Sequence, residues 1–448
     1  MLFTPFRLLF ALLLAGVCAT AQPLRVAPNG RYLVDGQGKP FFYLGDTAWE
    51  IFSRLTREEA GQYLKNRAAK GFTVIEAPVL PIFGRLQAPN AYGQVPLHGQ
   101  DPDRPNEAYF ELVDYVVNAA NGLGMYFALA PTWGDKVSMT AWSGSGPEIF
   151  TPEKARRYGE WIGRRYRDKR IIWMLGGDRN PEKPEHLAAW REMAAGIEAG
   201  TGGNCLLTYH PEGPGNSAVY FHDDAWLDFN MVQSGHSRKD YPNDSLIGVN
   251  YARQPAKPTL DGEPRYEDHP VDWKPAKGWF DDYDVRQAAY WALLSGAAGH
   301  VYGNHNVWQF WQPGREPVSH ARTPWQQALD QPGAAQMGYA RKLFESVAWH
   351  TLVPAPQLLR NPGSGTGRQV AAASADGTLL VAYSPLGEPL RVDAQQFSPG
   401  SGTARWFDPR NGTFSPVRKQ PAAGKPFVPP SKGRGQDWVL VLEKSTLR

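Results

Sequence analysis

Eight apolar, strand-length runs recur along this chain up to residue 303, and most of the segments between them have helical spacing. Alternation of that kind specifies a parallel sheet with helical crossovers, and eight repeats are the number that closes a (β/α)8 barrel. The runs are 41–46, 72–77, 125–130, 171–175, 205–209, 229–233, 258–263 and 299–303. Thr56 and Glu59 stand at capping-box spacing before the first crossover helix. Tyr109, Leu112, Val113, Val116, Val117 and Ala120 mark one face of the second, and Ala155, Tyr158 and Ile162 one face of the third. The fifth and sixth crossovers are the least defined.

Beyond about Leu352 the texture changes to short alternating runs punctuated by Pro and Gly, and Asn411-Gly412 is a hairpin signal. The expected organisation is therefore a (β/α)8 barrel over residues 22–352 and a small β-sandwich over 353–448. The first 21 residues read as a signal peptide: Arg7, an apolar stretch from Leu8 to Val17, and Ala19-Thr20-Ala21 as a cleavage site. Export to the periplasm or the extracellular medium is expected. The stretch is too short to span a bilayer, so no membrane insertion is expected. Val17 before Cys18 fits lipoprotein processing poorly.

With Cys18 removed, Cys205 has no intrachain partner, so stability must come from a large core. A formal net charge of +3 without a basic cluster argues against nucleic acid as a partner. Aromatics are plentiful, with 16 Trp and 19 Tyr, and such side chains offer flat apolar faces to sugar rings.

In a barrel of this kind chemistry sits where the strands end. Asp46 and Trp49 follow the first run, Trp133 the third, Asp178 and Asn180 the fourth, and His210 the fifth. Gln233 and His236 follow the sixth, Glu263 the seventh, and Asn304, His305 and Trp308 the eighth. A lone strand-end Asp is most often a turn former or helix cap, but recurrence around one rim favours a binding site. Two carboxylates facing each other there suggest glycoside hydrolysis, and Asp178 and Glu263 are the leading pair. Asp261 shares the strand face of Glu263 and Glu267 lies just beyond, so either is an alternative partner.

Three rivals use other chemistry. His210, His236, His300 and His305 with Asp46 or Asp178 suggest a metal site, but no His-x-His pair stands at a strand end, so no metal or other cofactor is expected. Gly144-Ser145-Gly146 lacks the strand-turn-helix setting of a nucleophile elbow. A non-catalytic glycan-binding barrel would keep the aromatics but would not need two opposed acids.

Several strings taken together resemble the apiosidase-like enzymes of glycoside hydrolase family 140: Leu44-Gly45-Asp46-Thr47-Ala48-Trp49, Gly176-Gly177-Asp178-Arg179-Asn180-Pro181, Tyr209-His210-Pro211, Gln233-Ser234-Gly235-His236, Asp261-Gly262-Glu263-Pro264-Arg265-Tyr266-Glu267 and Tyr302-Gly303-Asn304-His305. The part around Trp406-Phe407-Asp408-Pro409 resembles the small β-domain that closes this family, sometimes labelled collagen-binding, although nothing in it points to collagen. The resemblance implies a (β/α)8 glycosidase acting on apiose-containing side chains of the pectin rhamnogalacturonan II, with Asp178 as acid/base and Glu263 as nucleophile. Retaining barrel enzymes of the large clan A usually carry Asn-Glu at the fourth strand. Here Gly177-Asp178 stands instead, and the shorter acid bears on whether the retaining mechanism carries over. Oligosaccharide or polysaccharide is the expected partner, and another plant or microbial glycan the alternative substrate.

Overall fold

The computed structural model describes residues 24–82, 85–139, 146–393, 402–416, 418–419 and 425–444. The signal-peptide segment, Cys18 and Gly144-Ser145 lie outside the described residues. Eight parallel strands carry the barrel: β1 Tyr43–Thr47, β2 Val74–Pro78, β3 Tyr126–Ala130, β4 Ile171–Gly176, β5 Leu207–His210, β6 Asn230–Gln233, β7 Thr259–Asp261 and β8 Gly299–Tyr302. Their hydrogen-bonded order runs β5-β4-β3-β2-β1-β8-β7-β6. Closure between β5 and β6 rests on looser links: Asp228 N donates to Leu207 O at 3.0 Å and Thr208 Oγ1 to Phe229 O at 2.7 Å. The expected (β/α)8 architecture is present, with each strand within two residues of its expected start.

Both faces of the strands are buried, as crossover helices require. Ile172 and Met174 of β4 point inward to a core shared with Val74, Met231, Leu260 and Val301. Their neighbours Ile171, Trp173 and Leu175 point outward against the helices. Three two-residue antiparallel strands, Arg25–Val26, Leu33–Val34 and Pro40–Phe41, place Leu24 and Leu33 in the interior cluster.

Helix α1 (Arg57–Ala69) starts with the expected capping box, in which Glu59 N donates to Thr56 Oγ1 and Thr56 N to Glu59 Oε2. Helices α2 (Glu107–Gly122) and α3 (Pro152–Tyr166) bury the faces their spacing marks. Helix α4 (Pro184–Thr201) follows β4. The β5–β6 link holds only a four-residue helix, Ala218–Phe221, and a strand pair, Gly215–Asn216, antiparallel to β6. Helix α5 (Asn243–Tyr251) fills the next crossover, and α6 (Asp282–Leu294) and α7 (Pro332–Glu345) follow β7 and β8. No helix of the described residues is long and apolar enough to cross a membrane.

The C-terminal region begins with the strand Leu352–Pro354 and forms one antiparallel sheet with Val370–Ser374, Leu379–Ser384, Trp438–Glu443, Thr403–Asp408 and Thr413–Phe414, while Arg418–Lys419 also pairs with Thr403–Asp408. Alternate residues give it two apolar faces. Val381, Tyr383, Val439 and Val441 join the core cluster that includes α6. Leu380, Ala382, Leu440 and Leu442 pack instead under Leu358, Leu359 and Leu390, the second layer of this small domain. The two parts are joined by a buried ion pair, Arg286 of α6 to Asp437, with nitrogen–oxygen distances of 3.1 and 2.8 Å.

Candidate active site

The fourth strand ends in a turn that few sequences could form. Gly176, Gly177 and Asp178 all have left-handed backbone, with φ of 82°, 116° and 52°. A Cβ on Gly176 would stand 2.3 Å from His210 O, and one on Gly177 2.5 Å from the Trp133 ring. Glycine is therefore required at both positions by conformation and by space. Asp178 itself carries backbone strain, a cost that persists where the surrounding structure over-determines it. Its Oδ1 accepts from Gln233 Nε2 at 2.9 Å.

Glu263 stands two residues past the last residue of β7. Gly262 N donates to Val232 O and Gly235 N to Glu263 O, which ties this strand end to that of β6. His236 Nε2 lies 3.0 Å from Glu263 Oε1. His210 Nε2 lies 3.3 Å from Glu263 Oε2 and 3.6 Å from Asp178 Oδ1. The ends of β4, β5, β6 and β7 thus converge, with one imidazole between two carboxyl groups.

Charge follows from this contact. Burial alone would raise Glu263, but the hydrogen bonds and charge of His210 and His236 outweigh it and hold the carboxyl at about 2. Burial disfavours a charged His210, yet its two carboxylate neighbours push it up to about 10. The site therefore holds an imidazolium and an ionised Glu263 across neutral pH.

A cavity of about 610 Å³ opens over this pair. Asp178, Gln233, His236 and Glu263 line it together with Glu212, Pro214, Asp272, Trp273 and Val318. That volume suits a small ligand or a few sugar residues.

The remaining rim residues from the sequence are placed around or below this floor. Trp49 and Trp133 are 4% and 1% exposed, with ring centroids 5.6 and 5.7 Å from that of His210, so they back the histidine and do not line the cavity. Trp308, 3% exposed, donates through Nε1 to His305 Nδ1 at 3.3 Å. His305 Nε2 donates to Ser319 O at 2.8 Å, and Asn304 binds Gln331 and the backbone of Asn306. Asn180 accepts from Glu212 N at 3.2 Å. Asp46 is drawn away from the cavity: Arg67 Nε at 2.6 Å and Tyr63 OH at 2.5 Å hold it against α1. His300 is enclosed in the barrel wall, where burial and then the charge of Arg265 lower it to about 3.

The alternative acids also have other employment. Asp261 accepts from Ser234 Oγ at 2.8 Å and Asn243 Nδ2 at 2.9 Å, and Glu267 from Tyr302 OH at 2.5 Å and Gly333 N at 3.1 Å. Neither lines the cavity.

Sequence reasoning missed Trp273, Pro214 and Glu212, which lie in the loops after their strands. A signal for Trp273 was available: it is the aromatic in the polar string Asp272-Trp273-Lys274 soon after the seventh strand. Tyr266, quoted only within a family-like string, was given no site role. Its hydroxyl accepts from Trp49 Nε1 at 3.2 Å and its ring lies 4.5 Å from that of His236.

Asp178, His210 and Glu263 offer one ligand atom each within 4.8 Å of one another, the one group of this kind among the described residues. These three could hold a cation if His210 were neutral.

Residues 27–351 match the family described as "Apiosidase-like, catalytic domain", and residues 353–443 match "Putative collagen-binding domain of a collagenase". A solved structure described as a glycoside hydrolase is 31% identical, with 95% of this chain and 97% of that chain covered and a TM-score of 0.86. A glycoside hydrolase family 5 protein from Bacteroides vulgatus is 30% identical, with 94% and 93% covered and a TM-score of 0.85. No curated protein sequence matches.

Proposed function

Because the chain belongs to the apiosidase-like glycoside hydrolases, we propose that it is exported and cleaves apiosyl linkages in rhamnogalacturonan II side chains of plant pectin, retaining anomeric configuration. The observation that carries the mechanism is the separation of the acids. Oxygens of Asp178 and Glu263 lie within 4.8 Å, against about 5–5.5 Å for retaining pairs and about 6.5–9.5 Å for inverting ones.

Asp178 protonates the glycosidic oxygen while Glu263 attacks the anomeric carbon. The leaving sugar departs as an alcohol and the retained sugar stays as an ester of Glu263. Asp178, now a carboxylate, takes a proton from water, which attacks the anomeric carbon and frees Glu263. His236 and His210 keep Glu263 ionised for the first step. They are the positioning groups of the nucleophile, and Gln233 aligns the acid.

Fragmented pectin incubated with the protein is expected to release apiose or an apiose-containing fragment whose first-formed anomer matches that of the substrate. Release of the opposite anomer would refute retention. Substantial activity in Glu263→Gln together with its loss in Glu267→Gln would refute the assignment of the nucleophile.

A further inference from the structure

The loop after Glu263 presents a half-exposed aromatic ring beside the cavity. Trp273 is 48% exposed, the side chain stands at the mouth of the cavity, and its backbone is left-handed with φ of 59°. Asp268 and Asp272 in the same loop are left-handed as well, with φ of 59° and 53°. Three such non-glycine residues in six positions are a costly way to build an ordinary loop. The loop is nonetheless firmly tied: Asp272 N donates to His236 O at 2.8 Å, Val271 N to Gly278 O at 2.9 Å, and Lys274 and Lys277 both bind Asp272 Oδ2. The Trp273 and His269 rings meet in a T-shaped contact at 4.4 Å between centroids, and His269 stacks on His236 at 4.2 Å. A chain of rings therefore runs from the indole to the imidazole that holds Glu263.

Burial orders the cavity by depth. Glu263, His236 and Gln233 are buried at its floor, Asp178 is partly exposed, and Trp273 is the most exposed of these. The sugar that forms the ester must sit on Glu263, at the floor. The leaving portion of the substrate must then pass Asp178 towards the mouth, where Trp273 stands with Pro214 and Val318 as further apolar surface. A half-exposed indole beside polar groups suits a ring with one apolar C–H face and a hydroxylated edge.

Resting on the two-acid reading above, we propose that Trp273 is the platform of the leaving-group subsite and binds the apolar face of the saccharide residue from which the terminal sugar is cut. The strained loop holds the indole at that spot before substrate arrives, so no ordering cost falls on binding. Trp273 thereby sets preference for what the terminal sugar is attached to, and leaves recognition of that sugar to the floor.

The test uses the full chain in the Glu263→Gln background, which binds without turnover, titrated with fragmented pectin and separately with free apiose. Trp273→Gly is the ring deletion, because glycine accepts the left-handed φ, and Trp273→Phe keeps a smaller platform. Thermal melting checks that each variant folds. The expected result is at least a tenfold loss of affinity for pectin fragments in Trp273→Gly, a smaller loss in Trp273→Phe, and apiose affinity unchanged within about twofold. Equal losses for fragments and apiose, an unchanged fragment affinity, or no fragment binding by the Glu263→Gln protein would each overturn the proposal. Failure of the two-acid reading is read elsewhere, as turnover surviving in Glu263→Gln.

Discussion

Two strand ends of one barrel bury a carboxylate beside nitrogen donors and put it to different ends. At β1, Asp46 is enclosed by Arg67 and Tyr63 and faces α1. At β7, Glu263 is enclosed by His210 and His236 and faces a cavity. Burial raises Asp46 despite its arginine, whereas the two imidazoles more than offset burial at Glu263. The guanidinium is a permanent cation fixed in one ion pair, so Asp46 is spent on structure. Imidazoles can share or lose a proton, and His210 lies between two acids, while Glu263 lines the cavity. Depth of burial does not mark a reactive acid. What matters is whether the partner lets it face a space.

The sharpest way to break this comparison is to remove both charges in turn. Glu263→Gln is expected to lower kcat/KM by at least about a thousandfold in protein that still folds, with a lowered melting temperature because the ionised carboxylate adds stability at neutral pH. Asp46→Asn should do the reverse: it strands the buried Arg67 and costs on the order of 3–5 kcal/mol in chemical denaturation, while the folded fraction keeps its activity within about tenfold. If Asp46→Asn abolished turnover in protein that remained folded, the division between the two ends would fail.

A third acid sharpens the comparison further. Glu76 in the middle of β2 is fully buried, accepts from Tyr43 OH at 2.6 Å, and is raised by burial to about 7. A folded-state value above the unfolded one gives a contribution that is whole below about pH 4.5 and is lost as pH rises through about 7. Glu76→Gln keeps the acceptor for Tyr43 and removes the titration. It is expected to flatten the stability loss across that window, by up to about 3 kcal/mol at pH 8 measured as denaturation midpoints.

The smallest effect concerns His210. Glu263 is depressed, so the stability it adds is present above about pH 4.5 and is lost as pH falls through about 2; His210 is raised, so its part is whole below about 6.5 and fades as pH approaches 10. His210→Asn removes one of the two groups that hold Glu263 down. The acid limb of kcat/KM should then move up by on the order of one pH unit, and an unmoved limb would remove His210 from the nucleophile's environment.

Much of this was legible in the chain. Strand runs such as Ile171–Gly176 stood out because an all-apolar segment buried on both faces has no polar residue to blur it. The β5–β6 link did not, because a four-residue helix is too short to show a period. Asp178 and Glu263 could be picked from their strand-end positions. The tryptophans could not be sorted that way, since Trp49, Trp133 and Trp308 lie in the segments that follow strands yet are buried, while Trp273, ten residues past Glu263, reaches the cavity.

By itself, then, the sequence determined the eight-strand alternation, the β-rich C-terminal domain and the pair of acids, because periodicity and strand-end position are local properties that each segment carries with it. The tertiary structure alone decided which polar residues share a space. Whether Asp46 meets Arg67 or a ligand, whether His210 reaches both acids, and whether an indole packs or stands open all depend on distances between segments far apart in the chain, set when barrel closure brings their ends together.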